Sequence, residues 1–193
     1  MSSAIDTRNP VPARNAGHVR GLRHLYYARF GFAVVWAGLL ALTAATLTAP
    51  VIALLVIYPL FDVVAAVIDF RTSGAARARA ALYVNMALSL GAAVGLAAAV
   101  TSGIPGVLRV WGVWAIAAGL VQLIVAIRRY RFGGQWAMIL SGAISAIAGT
   151  SFVLQSVGSQ VLLTNIAGYA TLGGVFFLIS AIRMHRLDAN QAA

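Results

Sequence analysis

The chain has 193 residues, 61% hydrophobic and only 9% charged, and its net charge of +10 comes entirely from arginine because lysine is absent. A soluble domain carries about one quarter charged residues, so this composition excludes an ordinary water-soluble fold and points to a membrane protein. There is no cysteine, which removes disulfides, thiolate metal sites and cysteine nucleophiles.

Charge-free intervals locate the helices, because a charge at the bilayer centre costs several kcal/mol. Residues 1–26 are polar, carry Arg8, Arg14, Arg20 and Arg23, and read as a disordered basic tail. Thirty-two uncharged residues separate Arg29 from Asp62, enough for a helix over about 28–48 and the start of a second over 51–70, with "TAP" (Thr48 to Pro50) as the turn. Twenty-nine separate Arg79 from Arg109 and eighteen separate Arg109 from Arg128, predicting helices over 80–101 and 107–127 joined by "TSGIPG". As helix the eighteen-residue interval is about 27 Å long, one crossing and no more. Fifty-one uncharged residues between Arg131 and Arg183 hold two further helices, 135–155 and 160–182, joined by "SVGSQ". Residues 187–193 form a short second tail. The predicted fold class is all-α, a six-helix transmembrane bundle over 27–186.

Arginine placement sets the orientation. Thirteen of the fourteen arginines flank the helices on one side and Arg109 stands alone on the other, so the positive-inside rule puts both termini in the cytoplasm. A basic excess distributed this way is a topology signal, and no nucleic-acid partner is expected. A cleavable signal is the alternative for the first helix, since "TAATLTAP" holds small residues. Against it, the apolar run is longer than a typical signal core, and a second span follows within a few residues.

The helices repeat. Ala126-Ile127-Arg128 and Ala181-Ile182-Arg183 close two even-numbered helices 55 residues apart, and Asp69-Phe70-Arg71 occupies the same place in the first pair. "GLLALTAAT" from Gly38 matches "GAISAIAGT" from Gly142 at a constant offset. The sequence thus predicts three hairpins, about 28–70, 80–127 and 135–182, in parallel topology about an axis along the membrane normal. Small residues recur at packing intervals, among them Gly31 and Gly38, Gly91 and Gly95, Gly112 and Gly119, and Gly142 and Gly149. Two readings stand for them, packing within the chain and a homo-oligomer seam. Glycine-rich helices, short turns with Pro50 and Pro105, and a returning helix that ends in an "AIR"-like step resemble the HdeD-type acid-resistance membrane proteins over about residues 28–186. The resemblance implies a bacterial inner-membrane protein linked to acid or general stress, and it carries over no catalytic residues. The chain departs from the repeat where the third hairpin lacks a turn proline. It departs again at Asp62, which by the register of Arg71, Arg128 and Arg183 stands where the other copies have Gly119 and Gly174.

Asp62 is the focus of the candidate chemistry. It lies about 12 Å inside its helix, with Asp69 two turns further on the same face and Pro59, expected to kink the helix, one turn before it. Asn85, Gln122, Ser141 and Ser145 have depths suited to joining it in a polar cluster. Three readings are open: hydrogen-bonded glue that fixes helix register, a buried acid able to change charge, and a lipid-exposed carboxylate. Asp62 and Asp69 are about 10 Å apart along the axis, too far to share a proton directly. His18, His24 and His185 fall in the tails without metal-site spacing, and no phosphate loop or nucleophile elbow is present. No catalytic, cofactor or metal site is therefore expected. Arg71, Arg77, Arg79, Arg128, Arg129 and Arg131 are placed to touch anionic lipid headgroups at the cytoplasmic face. The leading expectation is a non-enzymatic, stress-associated membrane protein acting through packing, lipid or protein contacts. The alternative is a channel or proton-linked transporter with a polar path past Asp62.

Overall fold

The computed structural model describes residues 13–72, 79–128, 130, 135–158 and 162–192, and among these the fold is all helix, without strands. The elements are α1 (Ala13–Thr43), α2 (Ala49–Thr72), α3 (Arg79–Ala99), α4 (Gly103–Arg128), α5 (Trp136–Gln155) and α6 (Thr164–Ala192), with a 3-10 turn at Val100–Ser102. Five helical stretches are long and apolar enough to cross a membrane, and one of them, Arg79–Arg128, is 50 residues long because α3 passes through the 3-10 turn directly into α4. At 1.5 Å per residue that stretch would be about 75 Å if straight, far beyond a bilayer. It is not straight. Gly103 takes φ 68°, a left-handed conformation that suits glycine, and α4 returns against α3, so that a Cβ at Gly95 would lie 3.1 Å from Val110.

α1 begins at Ala13, so residues 13–26, read from sequence as disordered tail, belong to a helix continuous with the first span. Residues 1–12 lie outside the described residues. α6 starts at Thr164, four residues later than expected, and runs to Ala192, which places residues 187–192 of the predicted second tail within helix. Pro50 sits in the first turn of α2, where its missing N–H costs nothing. Pro59 lies in the interior of α2, which continues through it.

The most extensive contacts join α4 with α5, α1 with α6 and α2 with α3, followed by α3 with α4 and α1 with α2. α5 and α6 touch only slightly, so the third expected hairpin is splayed and each of its helices is held by a different neighbour. The centre is filled from several helices at once. Trp36 of α1 stacks on Trp111 of α4 with centroids 5.5 Å apart, Tyr58 of α2 lies 4.5 Å from Trp36, and Trp111 meets Trp114 edge-on at 5.3 Å. Leu40, Leu55, Leu96, Leu108, Leu163 and Ile166 are buried around these rings.

The outer surface carries many large apolar side chains. Leu42 is 85% exposed, Val157 79% and Ile147 71%, a distribution that fits a hydrocarbon surround and would be an aggregation liability in water. Hydroxyls on this surface turn inward to their own helices: Thr43 donates to the Leu39 carbonyl at 2.7 Å and Thr150 to that of Ala146 at 2.8 Å. At these two positions the bond satisfies the hydroxyl donor within the helix itself.

Candidate functional site

Asp62 sits on the buried stripe of α2 that also holds Val51, Leu55, Pro59, Ala65 and Asp69, residues three to four apart on one helical face. Its carboxylate gathers donors from two other helices. Arg29 of α1 donates through Nη2 to Oδ1 in a close ion pair. Asn85 and Ser89, one turn apart on α3, both donate to Oδ2 at 2.8 Å. Ser89 in turn accepts the indole N–H of Trp114 at 3.3 Å, which brings in α4. The guanidinium of Arg29 lies over the ring of Phe177 in α6, 4.1 Å from its centroid, a cation–π contact that shields its other face. One carboxylate therefore links α1, α2 and α3 directly, and α4 and α6 through one intermediary each.

The sequence-derived candidates divide between this cluster and other places. Asn85 is in it. Gln122 instead donates to the Met138 carbonyl at 3.1 Å, and Ser145 accepts from the Tyr169 hydroxyl at 3.1 Å, so both serve contacts made by α5. Ser141 makes no hydrogen bond to Asp62 among the described residues. Asp69 is buried at 6% exposure, seven residues beyond Asp62 on α2. A lipid-exposed Asp62 is overturned by its 8% exposure and its three donors. Arg71, Arg79 and Arg128 are exposed at helix ends, and Arg79 also lies 5.7 Å from the Phe70 ring. Arg77, Arg129 and Arg131 lie outside the described residues. His185 is more than a solvated tail residue, since Arg23 donates to its Nδ1 at 3.2 Å and so ties α1 to α6.

Three participants escaped the sequence reading: Arg29, Ser89 and Trp114. Arg29 counts there among the topology-setting arginines, yet a signal for it exists. α1 and α2 turn near Ala45 and Thr46, and in an antiparallel hairpin residues equally far from the turn share a depth, which pairs Arg29 with Asp62. Ser89 lies one turn from Asn85 on the same face and follows from it by helical periodicity. Trp114 carries no such signal, because its reach to Ser89 depends on how α3 and α4 cross.

The central aromatic group has its own polar accounts. Trp36 donates its indole N–H to the Leu54 carbonyl at 2.7 Å, next to the Leu55 carbonyl that Pro59, lacking an N–H, cannot serve. Trp36→Phe removes that bond and is expected to lower the unfolding free energy by about 1 kcal/mol, measured by denaturant titration in micelles. No family model matches the sequence, and no curated protein or solved structure matches it either.

Proposed function

We propose that this is a six-crossing bacterial inner-membrane protein of the HdeD-like kind, associated with acid or general stress, that works through packing, lipid and protein contacts and not through catalysis or transport. The observation that carries the reading is the closure of the interior beside Asp62. Trp36, Tyr58, Trp111 and Trp114 occupy the centre of the bundle, and Trp114 is bonded through Ser89 to Asp62, whose oxygens already accept from Arg29 and Asn85. A path past Asp62 would have to break these bonds and displace buried rings.

Two further features support the finer architecture. α3 and α4 lie side by side within the 50-residue stretch, which suits two crossings there and six in all. The most extensive contacts, α2 with α3, α4 with α5 and α6 with α1, are the ones that three consecutive hairpins around a common axis would make between neighbours, including closure of the last onto the first. Asp62, Gly119 and Gly174 each lie in one of these three contacts. With that topology and the arginine distribution, both termini face the cytoplasm. Single cysteines introduced into this cysteine-free chain at residues 5 and 190 should both be shielded from an impermeant maleimide in right-side-out vesicles; labelling of either one contradicts the orientation.

The functional reading is tested in liposomes loaded with a pH-sensitive dye. The expected result is proton flux no greater than in empty vesicles under an imposed gradient. A saturable flux that disappears in Asp62→Asn would overturn it in favour of a proton-linked transporter.

A further inference from the structure

Between α1 and α2 an apolar groove of about 300 Å³ opens on the outer face, lined by Gly31, Val35, Trp36, Leu39, Leu54 and Ile57. Its floor is low at Gly31, where an added Cβ would meet nothing within 4 Å. The groove lies in the half of each helix nearer the α1–α2 turn, and two exposed stripes lead from it toward their cytoplasmic ends. On α2, Ile57, Leu60, Val64 and Ile68 are between 40% and 55% exposed and step down one face to the exposed Arg71. On α1, Val35, Gly31, Ala28 and His24 step likewise to the exposed Arg20.

The two arginines lie at one level. Arg29 meets Asp62, Phe32 stacks on Phe61 with centroids 3.7 Å apart, and Trp36 meets Tyr58, contacts that define a single antiparallel register. Nine residues from the Arg29–Asp62 pair in each helix, that register puts Arg20 and Arg71 at one level, and the two and a half turns between carry both off the Arg29–Asp62 contact line onto the exposed stripes that border the groove. From Arg71 to Ile57 the helix rises about 21 Å, close to the half-thickness of a bilayer from headgroup level to midplane, about 20–22 Å. Two cations at headgroup depth, a lane of apolar and small residues, and a groove at the midplane form a seat with one charged end and one apolar end.

We infer that the α1–α2 face is a binding site for one anionic phospholipid of the cytoplasmic leaflet, with its phosphate between Arg20 and Arg71 and an acyl chain in the Gly31–Ile57 groove. The inference rests on the reading of α1 and α2 as membrane-crossing helices. Charge complementarity selects the occupant. A zwitterionic lipid offers the same tails, but its own cation offsets the attraction that two arginines exert on an anionic headgroup.

Native mass spectrometry of the full-length protein in detergent, with dioleoyl phosphatidylglycerol or phosphatidylcholine added separately, tests the site. The expected result is one phosphatidylglycerol retained at least tenfold more strongly than phosphatidylcholine. Arg20→Gln with Arg71→Gln should reduce that retention to the phosphatidylcholine level, Gly31→Leu should reduce it by filling the groove, and Arg109→Gln, at the exposed arginine near the opposite ends of the helices, should leave it unchanged. Equal retention of the two lipids, an equal loss in Arg109→Gln, or full retention in Gly31→Leu would each overturn the site. Carbonate extraction of membranes holding the same variants reports membrane insertion separately, so loss of the lipid site and loss of the membrane reading are distinguishable.

Discussion

Asp62→Ala is expected to destabilise the purified protein by about 3 kcal/mol, read as a shift in the unfolding free energy in mixed micelles. Removal of one member of a buried ion pair leaves the other without compensation, which costs about 3–5 kcal/mol in proteins generally. The lower end applies here because a long arginine in a micelle-bound unfolded chain can reach the interface by itself. Arg29→Ala should cost less than Asp62→Ala, since Asn85 and Ser89 remain bonded to the carboxylate. The discriminating variant is the double substitution Arg29→Met with Asp62→Leu. Replacing both partners by apolar residues removes the unpaired charge, so most of the lost stability should return. An Asp62→Ala protein within about 0.5 kcal/mol of the parent would show that the cluster does not hold the bundle together. A double variant as weak as the single would show that the hydrogen bonds to α3, and not the ion pair, carry the effect.

The same cluster marks where sequence reasoning succeeds and where it stops. That the chain is helical and crosses a membrane several times is legible, because charge-free intervals are set by the cost of burying charge and need no tertiary information. Depth is legible too: counting residues from a helix end brings Asn85 to Asp62. What the intervals do not encode is rotation. Gln122 has a suitable depth, but it faces Met138 of α5, and a helix presents its other sides to neighbours that only the packed bundle defines. The arginines raise a different difficulty. In the positive-inside rule every cytoplasmic arginine counts alike, although Arg29 is bonded to Asp62 and lies over Phe177 while Arg20, nine residues earlier, is exposed. Helix starts are also hidden, because residues 13–26 are polar on composition and yet continue α1 by one uninterrupted ladder.

Glycines show the same limit more sharply, since their spacing is visible and their partners are not. Gly31 and Gly38 are seven apart, as are Gly112 and Gly119, and Gly142 and Gly149. In the first pair an added Cβ would meet nothing within 4 Å. In the other two it would strike the facing helix: 2.6 Å from the Gly149 carbonyl oxygen at Gly112, 2.7 Å from that of Gly142 at Gly119, 2.8 Å from that of Gly119 at Gly142 and 2.5 Å from that of Gly112 at Gly149. The four glycines face one another in two reciprocal antiparallel pairs, so the backbones of α4 and α5 touch directly, as small residues allow in membranes where no hydrophobic force drives helices together.

Gly149→Ala and Gly31→Ala should therefore change stability in opposite directions. At Gly149 the new methyl meets the Gly112 carbonyl oxygen at 2.5 Å and the Ile116 backbone nitrogen at 2.8 Å. Backbone atoms cannot rotate away as a side chain can, so the helices must separate along the most extensive contact in the bundle. Overpacking of this kind costs about 1–3 kcal/mol, and the upper half of that range is expected because the Gly112–Gly149 and Gly119–Gly142 contacts would loosen together. At Gly31 the methyl enters open space within a helix, and the reduced freedom of the unfolded chain should stabilise the protein by about 0.5–1 kcal/mol. Denaturant titration of both variants in the same micelles supplies the comparison. A Gly149→Ala protein as stable as the parent would mean that α4 and α5 do not approach through their backbones, whereas a Gly31→Ala loss comparable to that at Gly149 would mean that α1 is covered by a second copy of the chain along this stripe.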